Sequence, residues 1–293
     1  MSFEGTFTAL VTPFAADGSV DLRALAELVE WQIDARIDGL VPCGSTGESA
    51  TLTPEEHVTV IRHVVEVAAG RVPVIAGTGS NSTREAIEFT RHARDVGAQG
   101  ALLISPYYNK PTQEGIFAHY RAIAEATGFP LLPYNIPGRT ASRIEPETCA
   151  RLSRVPNLVG IKEAGGDLVK TSETIAQCDP GFAVLSGDDA LTLPMLALGG
   201  RGVISTTSNV APRQMASIVR AYFGGDVARA QAAHYELLAL MQVLFVETNP
   251  IPVKSALHIL GRIPDPGLRL PLTTLTKANR ERLEAVLADA KPS

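Results

Sequence analysis

Several large classes of protein are excluded by what this sequence has little of. Cysteine occurs only three times in 293 residues, as Cys43, Cys149 and Cys178, with no C-x-x-C pair. An odd number at wide spacing makes neither a disulfide framework nor a zinc ribbon, and predicts reduced thiols in a cytoplasmic chain. Charged residues make up 19%, below the usual ~25% of a soluble domain. The formal net charge of −5 leaves no broad basic face for nucleic acid. Long apolar runs are missing too. The longest, Leu237 to Val246, already contains Gln242 and is too short to span a bilayer. The opening MSFEGTFTAL carries Glu4 and no basic n-region, which predicts no signal peptide. The six histidines, His57, His63, His92, His119, His234 and His258, form no H-x-H or H-E-x-x-H pair. None falls at a predicted strand end, so no metal centre is expected.

Hydrophobic residues are plentiful, at 45%, enough for a sizeable core. They fall in short runs bounded by Gly, Pro or small polar residues. The runs are Thr6 to Thr12, Gly39 to Gly44, Val72 to Gly79, Gly100 to Ser105, Phe129 to Asn135, Leu158 to Ala164, Phe182 to Asp188 and Gly202 to Thr206. Short runs with little alternation read as strands buried on both faces, hence as a parallel sheet.

Helical spacing lies between the runs. Leu22, Leu25, Val29 and Ile33 share one face behind a candidate N-cap at Asp21. Thr53-Pro54-Glu55-Glu56 supplies an N-cap, a Pro at N1 and a Glu at N3, the residues of a capping box. Ser82 and Glu85 repeat that spacing.

Eight strands alternating with helices at roughly 20- to 34-residue intervals predict an α/β fold, the (β/α)8 TIM barrel, over residues 1–225. Residues 226–293 contain no further apolar run of strand type. They predict a C-terminal helical region interrupted by Pro250, Pro252, Pro264 and Pro266. A doubly wound sheet would need a glycine fingerprint after its first strand. That strand ends in Thr12-Pro13-Phe14, and Gly77-Thr78-Gly79-Ser80 comes too late and lacks the third glycine. No nicotinamide site is therefore expected.

In a barrel of this type the active site lies at the C-terminal ends of the strands. Polar residues recur there: Ser45-Thr46, Thr78, Tyr107-Tyr108, Tyr134-Asn135, Lys162-Glu163, Asp188-Asp189 and Ser205. Lys162 stands apart. Among six lysines it alone closes an apolar strand, while Lys110, Lys170, Lys254, Lys277 and Lys291 fall in predicted loops or helices. Desolvation at a barrel mouth lowers a lysine pKa, and a neutral amine can form a Schiff base with a carbonyl. The plainer alternative is a lysine paired with Glu163 or another acid. Tyr134 ends the preceding strand, where a phenol could relay protons or simply line the barrel. Ser45 and Thr46 offer hydroxyls to a substrate or to a turn. Arg139 offers a bidentate clamp for a carboxylate or a surface ion pair.

Four motifs resemble the dihydrodipicolinate synthase family of the pyruvate-dependent class I aldolase and lyase superfamily. They are Gly44-Ser45-Thr46-Gly47-Glu48, Ser105-Pro106-Tyr107-Tyr108-Asn109-Lys110-Pro111, Tyr134-Asn135-Ile136-Pro137-Gly138-Arg139-Thr140 and Gly160-Ile161-Lys162-Glu163-Ala164. The likeness extends to Asn249-Pro250-Ile251-Pro252-Val253-Lys254, and so covers nearly the whole chain. The resemblance implies that Lys162 forms an imine with pyruvate and that the derived enamine attacks L-aspartate 4-semialdehyde. The product, 4-hydroxy-tetrahydrodipicolinate, leads to diaminopimelate and lysine. It further implies Tyr134 as proton donor and acceptor, and a relay of Ser45, Tyr134 and Tyr108, with Tyr108 lent by a neighbouring subunit. Thr46 and the backbone of Ile204 match the pyruvate carboxylate contacts, Arg139 the semialdehyde carboxylate contact, and Gly187 a further substrate-binding position. No cofactor, a homotetramer built as a dimer of dimers, and a cytoplasmic location are implied as well. Ser49, Ala50, His57, Asn81, Glu85 and Tyr107 match an inhibitory L-lysine site.

Two departures from the family pattern stand out. Ser45 occupies a position that is commonly Thr, and so loses the methyl that restricts the rotamer. Pro54 falls where lysine-sensitive relatives can carry a histidine. The G-S-T-G-E form also occurs in lyases for N-acetylneuraminate or 2-keto-3-deoxy sugar acids, which stand as the alternative. Arg139 and the Tyr107-Tyr108 pair favour the synthase. A non-catalytic barrel that senses a small acid is a reading of a different class, distinguished by binding without a covalent adduct.

Overall fold

The computed structural model describes residues 3–292. Eight parallel strands follow the predicted runs. They are β1 (Gly5–Ala9), β2 (Gly39–Val41), β3 (Ile75–Gly77), β4 (Gly100–Ile104), β5 (Leu131–Asn135), β6 (Gly160–Glu163), β7 (Ala183–Ser186) and β8 (Gly202–Ser205). They form one sheet in the order β2-β1-β8-β7-β6-β5-β4-β3. A single parallel bridge between Leu40 and Val74 joins β2 to the residue before β3. Helices separate the strands, and the fold is the expected (β/α)8 barrel with C-terminal helices.

Each strand is shorter than its apolar run, although the flanking backbone still finds hydrogen-bond partners. The Val11 amide donates to the Asn209 side chain, 3.2 Å away. Pro130 has no N–H, and its carbonyl accepts from Ala101 before β5 begins.

The chain divides into two compact units, and the first comprises Met1–Gly5 and Ile75–Ile204. It carries β3 to β7 and most of β8, with α3 (Thr83–Asp95), α4 (Gln113–Thr127), α5 (Pro137–Thr140), α6 (Pro146–Leu152), α7 (Leu168–Gln177) and α8 (Thr192–Ala197). Parallel pairing sets Tyr134 of β5 opposite Lys162 of β6, and Asn135 opposite Glu163. Close backbone approach demands glycine at Gly202. Its φ is +149°, and a Cβ there would lie 1.9 Å from the Gly5 carbonyl oxygen.

The second unit comprises Thr6–Val74 and Ser205–Ser293. It carries most of β1 and all of β2, with α1 (Leu22–Asp34), α2 (Pro54–Ala68), α9 (Pro212–Phe223), α10 (Val227–Val243), α11 (Ile251–Ile259) and α12 (Lys277–Ala290). Asp21 caps α1 by accepting from the Ala24 amide. The capping box at Thr53 and Glu56 forms in full, with Pro54 at the first helical position. At α3 only half of the expected box is made. Ser82 accepts from the Glu85 amide, but the Glu85 carboxylate turns to the Ser80 hydroxyl instead. Among the described residues, everything after α9 is helix or loop. Pro250 caps α11, and Pro264 and Pro266 lie in the loop before α12, but Pro252 is taken into the first turn of α11 rather than interrupting the helix, and α10 runs uninterrupted for 17 residues. No described helix is long and apolar enough to cross a membrane.

Candidate active site

Strand β6 is four residues long, Gly160-Ile161-Lys162-Glu163. Successive side chains of a strand point to opposite faces, so Lys162 and Glu163 diverge. The Glu163 carboxylate accepts from Asn135 Nδ2 at 2.8 Å and from the Gly165 amide at 2.6 Å. Asn135 Oδ1 in turn accepts from the Ile144 amide at 3.0 Å. The acid next to Lys162 in sequence therefore anchors the loops after β5 and β6, and the simple Lys162–Glu163 pair is not formed. Burial pushes the Glu163 carboxyl above its usual range.

Lys162 is only 6% exposed. Its Nζ lies 4.2 Å from the centre of the Tyr134 ring, the residue opposite it in the β5–β6 register. Gly187 makes the space, since a Cβ there would come within 2.9 Å of Lys162 Cε. Burial lowers the Lys162 pKa from 10.5 to about 7. The Asp189 carboxylate opposes that shift and the Arg139 guanidinium adds to it. Near neutral pH a large share of the amine is thus unprotonated, as a Schiff-base nucleophile requires.

Tyr134 responds to the same burial in the opposite sense. Its phenol is pushed well above the ordinary value, with Arg139 counteracting and Asp188, Glu163 and Asp189 reinforcing. The hydroxyl stays protonated, able to donate a proton or pass one on. A neutral amine beside a protonated phenol can attack a carbonyl and deliver a proton to the oxygen that leaves.

Arg139 sits exposed on the four-residue α5 directly after β5. Asp189 is 2% exposed and begins a single 3-10 turn after β7, which Asp188 caps by accepting from the Ala190 amide. These two acids were legible as strand-end polar residues. Their influence on Lys162 and Tyr134 required coordinates. Ile204 is fully buried in β8. In the loop after β4, Tyr107 is 38% exposed, and Tyr108 is 89% exposed with φ +71°. Asn81 donates to the Tyr107 carbonyl at 3.2 Å.

The second unit holds the Gly44–Glu48 turn that follows β2. Gly47 donates to the Gly44 carbonyl and Glu48 to that of Ser45. Ser45 is half-buried and Thr46 buried. Thr46 Oγ1 accepts from Asn249 Nδ2 at 2.9 Å and stands 3.5 Å from Thr206 Oγ1. Glu48 and Lys254 form an ion pair at 2.7 Å with both side chains at most 1% exposed. Sequence reasoning assigned no role to Asn249, Glu48 or Lys254. The signal available was a lysine among Val253, Ala256 and Leu257, all on the buried side of α11. Ser49 and Ala50 lie in a 3-10 turn, Ser49–Thr51. His57 is buried in α2, where its carbonyl accepts from the Cys43 thiol. Among the described residues, no group of three or more His, Cys, Asp or Glu could hold a metal ion.

Comparison with known proteins places this arrangement. The model of the dihydrodipicolinate synthetase family matches residues 2–290. The chain belongs to that family. A relative from Nitratidesulfovibrio vulgaris (strain DSM 19637 / Miyazaki F), named 4-hydroxy-tetrahydrodipicolinate synthase, is 55% identical over 291 residues, covering 99% of each chain. The crystal structure of a chloride-inhibited dihydrodipicolinate synthase from Acinetobacter baumannii, complexed with pyruvate, superposes with a TM-score of 0.97. It is 47% identical, and the match covers 100% of both chains. A dihydrodipicolinate synthase from Cyanidioschyzon merolae with lysine bound gives a TM-score of 0.95 at 42% identity, covering 99% of this chain and 98% of that one. With full-length identity at this level, the chain is an enzyme of the family's Schiff-base, aldol-type lyase class.

Proposed function

We propose that this enzyme condenses pyruvate, held as an imine on Lys162, with L-aspartate 4-semialdehyde to give 4-hydroxy-tetrahydrodipicolinate for diaminopimelate and lysine synthesis. The observation that carries this reading is the buried Lys162 amine, its pKa near 7, set against the Tyr134 phenol.

The Lys162 amine adds to the pyruvate ketone. The carbonyl oxygen leaves as water, taking a proton by way of Tyr134. Loss of a methyl proton gives the enamine, whose carbon forms the new C–C bond with the aldehyde. The semialdehyde's own amine then displaces Lys162 as the ring closes, which regenerates the free lysine.

Ser45 and Tyr108 complete the proton relay with Tyr134, Tyr108 coming from a neighbouring subunit. Thr46 and the Ile204 backbone hold the pyruvate carboxylate, Arg139 holds the semialdehyde carboxylate, and Gly187 is a further substrate-binding position. No metal or cofactor takes part. The enzyme works in the cytoplasm as a homotetramer, a dimer of dimers. Residues 1–225 form its catalytic barrel and residues 226–293 an appended helical region. Ser49, Ala50, His57, Asn81, Glu85 and Tyr107 form a site for inhibitory L-lysine, a ligand found on the Cyanidioschyzon merolae relative.

Borohydride trapping with pyruvate, read by peptide mass spectrometry, tests the reading. A reduced adduct on Lys162 is expected. Arg139→Ala should keep that adduct while losing most semialdehyde turnover. No adduct on folded wild-type protein in excess pyruvate would overturn the mechanism, and unchanged turnover in Arg139→Ala would overturn the carboxylate assignment and favour a sugar-acid substrate.

A further inference from the structure

The buried Glu48–Lys254 pair does no chemistry in the reaction above, yet every polar atom of the Glu48 carboxylate is engaged. Oε1 accepts from Lys254 Nζ at 2.7 Å. Oε2 accepts from the Arg269 amide at 3.1 Å. Lys254 Nζ also sits 4.1 Å from the centre of the buried Phe14 ring. Glu48 itself is held with φ +54°, a left-handed conformation that costs a non-glycine residue energy and persists where neighbours enforce it. It closes the turn that presents Ser45 and Thr46.

The same short segment reaches that turn at a second point. Asn249 donates to Thr46 Oγ1, and Lys254 follows five residues later at the start of α11. The other contacts on the turn are consistent with a rigid frame: the Thr12 hydroxyl donates to the Gly47 carbonyl at 2.7 Å.

Stability alone does not account for the pair. Removing two charges from water costs about as much as their attraction returns, and apolar replacement of both partners is often neutral or stabilising. What an apolar pair cannot do is fix direction, because only a carboxylate can be held at Oε1 by Lys254 and at Oε2 by the Arg269 amide, and so pin the backbone that carries it.

We propose that Glu48 and Lys254 are positioning residues for catalysis: their ion pair locks the Gly44–Glu48 turn so that the Ser45 and Thr46 hydroxyls meet pyruvate. This rests on the function proposed above, in which Thr46 holds the pyruvate carboxylate and Arg139 holds the second substrate.

The test is the paired variant Glu48→Leu/Lys254→Met, with Glu48→Gln beside it. Lys254→Met alone would leave a buried carboxylate unpaired and risk misfolding. The paired variant should melt within a few degrees of wild type. Its KM for pyruvate should rise about tenfold or more while KM for the semialdehyde stays within about twofold, the split expected when binding of one substrate is lost. Amides of Gly47, Glu48 and Ser49 should exchange with solvent faster, and those of β6 at the wild-type rate. Glu48→Gln, which keeps shape and one acceptor, should show the same split to a smaller degree. It decides the matter alone if the paired variant does not fold. An unchanged pyruvate KM, equal losses for both substrates, or unchanged exchange in the turn would each overturn the proposal. Wild-type protein that forms no pyruvate adduct would instead overturn the function, and exchange in the turn would still judge the positioning.

Discussion

At the residue scale, two neighbouring groups on paired strands have their acid–base properties moved apart by the same burial. Lys162 is carried down to about 7 and Tyr134 upward, so at neutral pH the phenol stays protonated while about half of the amine is free. The sign of the pH dependence follows. Below about 7 the Lys162 amine is protonated and cannot attack; above it the neutral form dominates. The rate of pyruvate-adduct formation under single-turnover conditions should therefore climb about tenfold per unit below pH 7 and level off above it. A profile that keeps climbing towards pH 10 would mean an ordinary lysine. Adding a Cβ at position 187 should have a related effect, because it meets Lys162 Cε at 2.9 Å. Lys162 itself was legible in the sequence as the one lysine closing an apolar strand. The value of its pKa was not, since Asp189 and Arg139 act on it from separate segments, after β7 and after β5.

At the element scale, the ends of strands and helices explain where each functional group falls. The β5–β6 register sets Tyr134 opposite Lys162, and a one-residue slip would turn one of them to the other face. Glycine permits the tight start of β8: with a φ of +149° at Gly202 and the Gly5 carbonyl 1.9 Å from any added Cβ, a side chain must displace backbone. Gly202→Ala should cost several kcal/mol, more than the ~1 kcal/mol typical of a point substitution. Chemical denaturation should read this as a clear drop in the midpoint at constant slope; an unchanged midpoint would contradict the packing described. By contrast, Thr53→Ala removes one acceptor of a fully formed capping box. It should cost only ~1 kcal/mol, measured the same way.

At the scale of the whole molecule, the tetramer proposed above is tested most directly at the exposed Tyr108. A tyrosine that is 89% exposed in a left-handed backbone conformation is an uncovered aromatic of the kind enriched at interfaces. Sedimentation equilibrium should give a particle of four 31.1 kDa chains, and Tyr108→Ala should lower turnover without lowering the melting temperature of the chain. A monomer with full activity would remove the subunit-crossing relay.

Composition and the spacing of apolar runs were sufficient to determine the fold class, because a parallel strand buried on both faces must be short, apolar and bounded by residues that end it. The eight strand positions, the caps at Asp21 and Thr53, and the motifs around Ser45, Tyr134 and Lys162 were all present in one dimension. Only the tertiary structure decided which acid each base meets. Glu163 sits beside Lys162 in the chain but turns to Asn135, while Lys254 crosses more than 200 positions to reach Glu48. Strand alternation separates neighbours in sequence, and packing joins residues far apart in it. A buried charge is balanced by whichever partner the fold delivers, and no local pattern encodes that choice.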